Sequence, residues 1–554
     1  MSTRPTIRAT PHVDSRPLYF STLSPVHIGC GEHYEPSTFV IHDELLHVLE
    51  PATLLMALSD DENRKLAALA SQRQPIAAVQ RFFSASAARF SEFAVRQVAV
   101  TPALAREYLT KVGRPAQPAT AASDEDAVYN RFQIARTAFR PLDGSPYLPG
   151  SSLKGSIRTA WLNQTLLRAP GAASTIDTAR KGAAARLEQC LLGYQAGKFE
   201  NDPFRRLALA DAHVDDDEVP PPTQVIYAIG KKKRPPRPDE RPPSEIKVFL
   251  ETIPEALPTA FRGELRLLPG ATMAWETLCE ACNGFYRPRL AAELQHPVLG
   301  ERLDPAWRQL IEDLIDGPLQ VLIDDHQGFL LRVGHHSGAE SVTLDEVRRI
   351  KILGPRINGK HTFDFRPTTT EQRLASLTRT GNGGLLPFGW LWVDASDDAH
   401  RHHADEVRRR LGARSRALRD AHQDRLLRWE EKQAQQAVRA AEIARKRAAA
   451  AAERAAAEAA AAQRQHQIEQ MTPNQQRVQA FADHCAARLA QLRGSKENPH
   501  AQTHTRAREL AREAADWPPA DRLAVAEAIE HWLPQVVKVD LKEERKKLAA
   551  LRRP

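Results

Sequence analysis

Residues 146–158 read Pro-Tyr-Leu-Pro-Gly-Ser-Ser-Leu-Lys-Gly-Ser-Ile-Arg, and this stretch decides the fold of the N-terminal part of the chain. Pro149 favours extended backbone at the residue before it, and Gly150 permits a tight turn that other residues resist. Helix-forming residues then continue to about Leu167. The pattern therefore predicts the end of a strand, a turn and the start of a helix.

The start of this predicted helix carries groups suited to an anion. Ser151 or Ser152 can cap the helix, and the free amides of a first turn attract negative charge. Lys154 and Arg158 lie four residues apart, so both cations project from one helix face. Gly155 leaves room for a phosphate backbone to approach. The stretch predicts a phosphate-binding corner, and the alternative is an ordinary capped helix whose cations are solvated.

Two other kinds of site fit the sequence poorly. A nucleotide-hydrolysing P-loop needs Gly-Lys-Ser/Thr at the end of its pattern, whereas Lys154 precedes Gly155. Cys279 and Cys282 have the spacing of half a zinc site, but no second cysteine pair follows and the surrounding residues suggest a helix. No metal and no cofactor are predicted.

The 146–158 stretch closely resembles the signature of the RAMP superfamily, the RNA-binding subunits of type III CRISPR effector complexes. Three further stretches resemble the same family in the same order: Leu-Ser-Pro-Val-His-Ile-Gly-Cys-Gly at 23–31, Leu-Arg-Val-Gly-His-His-Ser-Gly at 331–338 and Pro-Phe-Gly-Trp at 387–390. The resemblance covers roughly residues 17–395. It implies an α/β (α+β) fold with a tandem ferredoxin-like, RRM-like core that carries Gly-rich loops.

The resemblance also implies where RNA is bound. The expected contacts are His27, Gly29, Gly31, Gly150, Ser151, Ser152, Lys154, Gly155, Arg158, Arg332, Gly334, His335, His336, Ser337 and Gly338. The basic run adds Lys231, Lys232, Lys233 and Arg234, although such a proline-rich run is also typical of a solvated, disordered tip. Aromatic residues make up only 6% of the chain, so base stacking is not the main mode. Phosphate contacts would bind guides of any sequence.

Two departures from the family pattern concern the role of the chain. Backbone subunits cleave target RNA with an aspartate after the first Gly-rich turn, but residues 32–37 read Glu-His-Tyr-Glu-Pro-Ser. A helical insertion also separates the first two motifs. The resemblance therefore favours the non-catalytic subunit that caps the filament at the 3′ end of the guide, as in the Csm complex. One alternative is a metal-independent endoribonuclease that processes CRISPR RNA, with His27 or the pair His335 and His336 as general base.

Composition and patterning set the frame for these interpretations. The chain has 554 residues and a formal charge of +8, and this charge suits either a polyanionic partner or plain solubility. Its five cysteines are too few for a disulfide framework in a chain of this length, which suits a reducing cytoplasm. No secretory signal and no membrane segment are predicted. The predicted segments are a disordered N-terminus (1–16), a first ferredoxin-like unit (17–211) with a helical insertion (52–115), a second unit (212–395) with a basic hairpin or loop (225–250), a long Ala/Arg-rich helix (396–471) and a helical bundle (472–554).

The expected partners follow from the same resemblance. They are guide RNA, target RNA and other RAMP subunits. The C-terminal bundle leaves a second alternative open, in which the chain is an adaptor that recruits a host nuclease or imitates the small helical subunit of the complex.

Overall fold

The structure is a computed structural model that describes residues 13–35, 37–71, 75–112, 132–169, 171–174, 176, 180–214, 219, 221–235, 248–357, 360–381, 383–492 and 494–553. Most of the predicted disordered N-terminus and part of the basic loop lie outside these residues. Contacts divide the chain into two compact units, Met1–Trp429 and Glu430–Pro554.

The described residues form 15 strands and 16 α-helices. The strands are β1 (Asp14–Thr22), β2 (Gly29–Tyr34), β3 (Phe39–His42), β4 (Leu45–Leu49), β5 (Ala94–Val100), β6 (Ile134–Thr137), β7 (Leu207–Leu209), β8 (Gln224–Lys232), β9 (Val248–Thr252), β10 (Phe261–Leu267), β11 (Gly328–Arg332), β12 (Ile350–Ile357), β13 (Lys360–Arg366), β14 (Glu371–Ser376) and β15 (Trp390–Asp394). The helices are α1 (Pro51–Ala57), α2 (Asp60–Ala70), α3 (Pro75–Ala85), α4 (Ala87–Ser91), α5 (Pro102–Lys111), α6 (Gly150–Arg168), α7 (Gly171–Ser174), α8 (Ala183–Leu192), α9 (Trp275–Leu294), α10 (Pro305–Ile315), α11 (Pro318–Asp324), α12 (Arg401–Glu469), α13 (Pro473–Leu492), α14 (Gln502–Glu513), α15 (Pro519–Val536) and α16 (Leu541–Leu548).

The first sheet has the ferredoxin-like arrangement. In chain order its framework is β1-α6-β7-β10-α9-β11, which is a βαββαβ unit. The strands lie in the order β11-β15-β1-β10-β7, so β15 is inserted between the two strands that are neighbours in the simple fold. Buried residues of α6 and α9, including Leu153, Ile157 and Phe285, pack in one core with the strands. The prediction of an α/β core with a helical C-terminal region is confirmed.

The second sheet is built from segments that leave and rejoin this framework. Its strands lie in the order β2-β6-β9-β8-β5-β4-β3, and β14 pairs with β8. A core that includes Phe39, Tyr108 and Tyr227 joins the sheet to α5. The strands that flank the basic run, β8 and β9, pair antiparallel. The β12–β13 ribbon forms a separate two-stranded sheet.

Several predicted boundaries differ from this architecture. Both large sheets take strands from either side of residue 211, so the predicted boundary at 211/212 does not separate them. Residues Asp14–Arg16, predicted to be disordered, belong to β1 because they pair with β10. The predicted helical insertion 52–115 contains a strand, β5, which pairs with β4 and β8.

The long helix α12 agrees with the predicted helix, but its first turns belong to the core of the first unit. Val407 and Leu411 are buried in the same core as α6 and α9. Arg414 forms ion pairs with Glu255 and Asp304. The compact unit Met1–Trp429 therefore continues past residue 395, where the sequence predicts the end of the second ferredoxin-like unit, because side chains that complete its core lie on α12.

The second unit contains its own hydrophobic core. Residues from α13 to α16, among them Phe481, Ile529 and Leu533, form it. Thr472 and Gln475 cap α13 reciprocally, since each side chain accepts a hydrogen bond from the other residue's amide. Within the parts of the chain that the structure describes, no helix has a stretch both long and apolar enough to span a membrane.

Candidate nucleic-acid interface

Three Gly-rich segments that are distant in sequence meet at one place. Gly334 has a φ of 78°, and a Cβ there would lie 2.3 Å from the His27 carbonyl oxygen. The amide of His335 donates to that same oxygen over 2.8 Å. Ser156 donates to the carbonyl of Arg332 over 2.9 Å and so joins α6 to the same loop. A side chain at residue 334 would separate the first and third segments, which explains the glycine.

Several residues of these segments that face solvent have small side chains or none. Gly29 and Gly31 are exposed at the start of β2, and a Cβ on Gly31 would meet nothing within 4 Å. On α6, Ser151 and Gly155 are exposed, and a Cβ on Gly155 would also meet open space. An RNA backbone can approach such surfaces closely, because no side chain intervenes.

The start of α6 differs from the predicted phosphate-binding corner. Pro149 is the capping residue and offers no side-chain hydrogen bond, while Ser151 and Ser152 already lie inside the first turn. The Gly150 amide donates to an Asp211 carboxylate oxygen over 2.7 Å. The predicted anion at this amide is therefore a carboxylate of the protein itself. Gly150 is required for packing, since a Cβ would lie 2.4 Å from the Leu209 carbonyl oxygen.

The two cations of α6 are also engaged with protein groups. Lys154 donates to the Leu207 carbonyl over 2.7 Å, and burial lowers the pKa of its ammonium. Arg158 forms ion pairs with Glu188 at 2.5 Å and with Asp202 at 2.9 Å. Both cations point towards the segment that precedes and includes β7. They hold α6 against the first sheet. Neither alternative from the sequence, a phosphate-binding corner or a helix with solvated cations, included this role.

The resemblance implied that Arg332 contacts RNA, but in the structure this residue is buried. Its side chain is 4% exposed and forms an ion pair with Glu293 at 2.7 Å. Its Nε donates to the Phe388 carbonyl over 3.0 Å, and its guanidinium lies 4.8 Å from the Trp390 ring centre. These contacts link β11 to α9 and β15.

The three histidines of the motifs occupy different environments. His27 is 3% exposed, and its Nδ1 lies 2.7 Å from the Glu251 carbonyl oxygen. Burial lowers the pKa of His27 and brings the pKa of His336 to about 3, so both imidazoles are neutral near pH 7. His335 is exposed beside them, with its ring centre 6.3 Å from that of His27. Of the three side chains, that of His335 is therefore the one open to solvent.

The last residues of the Gly-rich loop shape its turn. Ser337 is buried, and its hydroxyl donates to the Gly334 carbonyl over 3.0 Å. Gly338 has a φ of 83°, which favours glycine. Both residues support the loop from within.

The described part of the basic run lies at the end of β8. Lys231 and Lys232 belong to the strand, and Lys231 donates to the Thr380 carbonyl over 3.2 Å. Lys233 forms an ion pair with Glu340 at 2.7 Å. Arg234 donates to the Pro235 carbonyl over 3.1 Å. Of these residues, Lys233 also lines a cavity beside the Gly-rich loop.

Arg136 on β6 is a further candidate that the sequence reasoning missed. Its guanidinium lies 3.4 Å from the Phe139 ring centre and 4.7 Å from that of Tyr34, and it pairs with Glu32 at 3.2 Å. Cys30 of the first Gly-rich turn contacts its carbonyl. A signal was present in the sequence, because Arg136 lies among the apolar residues Phe132, Ile134 and Phe139 shortly before the 146–158 stretch.

The cysteine pair lies away from this interface. Cys279 and Cys282 are fully buried in α9, and burial raises the pKa of both thiols. A zinc ligand is a thiolate, so this environment is unsuited to a metal. Among the described residues no cluster of three or more acidic, histidine or cysteine side chains could hold a metal ion.

The chain is similar to a known family and to two solved structures. A chain from a cryo-EM structure of a Csm-crRNA-target RNA ternary complex of a type III-A CRISPR-Cas system is 18% identical, with a TM-score of 0.39 over 69% of this chain and 100% of that chain. The crystal structure of Csm5 from T. onnurineus is 19% identical, with a TM-score of 0.38 over 68% of this chain and 99% of that chain. No curated protein matches the sequence. The family model described as the RAMP superfamily matches residues 19–323, which is more than half of the 554 residues and runs from within β1 to within α11, so the chain belongs to the RAMP superfamily.

Proposed function

We propose that this chain is an RNA-binding structural subunit of a type III CRISPR effector. In this proposal it caps the filament of RAMP subunits and holds the 3′ part of the guide RNA, in the cytoplasm and with other RAMP subunits as neighbours. Membership of the RAMP superfamily supports the proposal. The observation that carries it is the meeting of three Gly-rich segments at His27, Gly334 and Ser156, which leaves a small, exposed surface around Gly31 and Gly155.

This surface favours binding through the RNA backbone. Lys154, Arg158 and Arg332 are engaged with protein groups, and Arg136 likewise pairs with Glu32, so the exposed Gly-rich surface around Gly31 and Gly155 is the stronger candidate for phosphate contacts. Backbone contacts carry no sequence information, and this suits a subunit that must accept any guide.

The proposal includes no catalysis. A general base must reach the 2′-hydroxyl of RNA, but His27 is 3% exposed and bonded to a backbone carbonyl. His335 is exposed and is the histidine that the test addresses, and the proposal expects purified protein to leave guide and target RNA intact with or without magnesium. Specific cleavage that His335→Ala abolishes would replace the capping function by the endoribonuclease alternative.

Two matched glycine substitutions test the binding surface. Gly155 on α6 and Gly284 on α9 are both exposed helical glycines, and a Cβ on either would meet nothing within 4 Å. Gly155→Glu places a bulky anion on the proposed surface and should weaken guide RNA binding about tenfold, which equals about 1.4 kcal/mol. Gly284→Glu should leave affinity unchanged. Both should keep or raise thermal stability, because glycine disfavours helix.

The readouts are fluorescence anisotropy with labelled guide RNA and co-purification from cells that express the effector. Wild-type protein should co-purify with guide RNA and RAMP subunits, and Gly155→Glu should lose the RNA. Equal RNA affinity of both glycine variants would place the binding surface elsewhere, and a chain that co-purifies with neither RNA nor RAMP subunits would remove the proposed function.

A further inference from the structure

A cavity of about 570 Å³ lies beside the Gly-rich loop, between α9, the loop after β11 and β14. Its volume falls in the range of small-ligand sites, which is about 300–1,000 Å³. One wall is apolar and contains Pro288, Leu299, Leu303, Leu374 and Pro387. Charged side chains form another part of the lining, so the cavity offers two kinds of surface to one ligand.

The charged wall holds four cations and three carboxylates. These are Lys233, Arg289, Arg332, Arg348, Glu293, Glu340 and Asp345. The carboxylates fix the cations in place: Arg289 and Arg348 share Asp345 at 2.5 and 2.6 Å. Partly exposed ion pairs contribute little to stability once desolvation and side-chain ordering are counted, so their concentration around one cavity favours a binding site.

Two groups in this wall still have bonding capacity. The side chain of Arg332 is 4% exposed, and its buried Nη2 has no hydrogen-bond partner within the described residues. Leaving such a nitrogen unpaired is unfavourable, and an oxygen acceptor of a ligand would relieve it. Glu340 receives Lys233 and both donors of Thr369 on Oε1, and within the described part of the chain Oε2 accepts no hydrogen bond.

The combination of surfaces restricts the ligand. Three carboxylates disfavour a ligand that is purely anionic, and seven charged groups disfavour one that is purely apolar. A ribonucleotide has a planar base for the apolar wall, hydroxyls for a carboxylate and a phosphate for the cations. We propose that this cavity binds one ribonucleotide, with its base against the leucine and proline wall and its phosphate near Lys233 and Arg332.

This inference rests on the proposed function, because it takes the ligand to be a component of RNA. It adds a site for a single nucleotide. The nucleotide has two sources: the end of a bound RNA or free nucleotide in solution. The chemistry of the site is the same for both, and the experiment distinguishes them.

The direct test is calorimetric titration of the full chain with AMP, GMP, CMP and UMP. At least one should bind, and its 2′-deoxy counterpart should bind more weakly because a carboxylate loses a hydroxyl. Ala292 is an exposed residue of α9 in the cavity lining, so Ala292→Phe should reduce nucleotide binding at least tenfold. Ala68→Phe, at an exposed position of α2, is the matched control and should change nothing.

A second variant reports on the phosphate. Lys233→Met removes the cation but keeps the length of the side chain, and Thr369 continues to hold Glu340. It should weaken binding of the monophosphate about fivefold, which equals about 1 kcal/mol, and leave binding of the nucleoside unchanged.

Competition identifies the source of the nucleotide. A linear RNA that displaces the bound monophosphate, while a circular RNA of the same sequence does not, assigns the site to an RNA end. Displacement by neither RNA assigns it to free nucleotide. Failure of all four monophosphates to bind at millimolar concentration, in a protein that still binds guide RNA, overturns the inference and leaves the proposed function standing. A protein that binds a monophosphate but no RNA supports the inference and overturns the proposed function.

Discussion

Arg158 is predicted to stabilise the fold rather than to bind RNA. Its guanidinium donates to Glu188 and Asp202 over distances of 2.5–3.2 Å, and it lies 4.8 Å from the Phe204 ring centre. The side chain of Asp202 is 12% exposed and that of Glu188 is 33% exposed. Hydrogen bonds to charged groups contribute about 1.5–3 kcal/mol each when buried, so two partly exposed carboxylates give about 3 kcal/mol in all. We expect Arg158→Met to lower the free energy of unfolding of the first unit by about that amount.

The assay must read the first unit separately, because a chain of two units need not unfold in one step. Hydrogen exchange at increasing urea concentrations, followed on peptides from α6, gives this local stability. A double-mutant cycle with Asp202→Asn should return a coupling of about 1–2 kcal/mol, since the amide keeps the oxygen that accepts from the Phe204 amide but loses the charge.

RNA binding provides the opposing readout for the same variant. Affinity for guide RNA should change less than threefold, and the salt dependence should keep its slope. If Arg158 instead contacts a phosphate, the slope should fall by about 0.7 and affinity should drop with stability unchanged. That second result would refute the structural role of Arg158 and restore the predicted phosphate-binding corner.

Three further predictions concern the loop, its histidine and the extent of the first unit. Gly334→Ala should destabilise the protein by more than about 2 kcal/mol in thermal unfolding, because its Cβ would collide with the His27 carbonyl at a positive φ. Burial lowers the pKa of His336 to about 3 from 6.5, so the stability it contributes is present above pH 6.5 and is lost as the pH falls towards 3. Allowing for partial exposure, His336 should make the free energy of unfolding about 1 kcal/mol lower at pH 5 than at pH 7, and His336→Asn, which tolerates the φ of 66°, should remove that contribution and leave the one from His27. Protein ending at residue 429 should fold and bind RNA, whereas protein ending at 394 should lose about 4 kcal/mol from the missing burial of Val407 and Leu411, as measured by urea unfolding.

Local patterns were sufficient to predict several elements. The turn at Pro149 and Gly150 and the helix after it follow from backbone preferences of neighbouring residues, and α6 begins there. The Ala/Arg-rich segment predicts α12 because its residues favour helix without tertiary support. The capping box at Thr472 and Gln475 is likewise complete within four residues.

By itself, the sequence determined that the residues after Pro149 and the Ala/Arg-rich segment are helical and which of their side chains share a helix face; the tertiary structure alone decided what those side chains meet. The spacing of Lys154 and Arg158 places two cations on one face of α6, but the acceptors at Leu207 and Asp202 come from another part of the chain. The helix amide that suits a phosphate bonds to Asp211 for the same reason. Helix periodicity is a property of a few neighbouring residues, whereas the partner of a charge depends on which distant segment the fold brings within hydrogen-bonding distance.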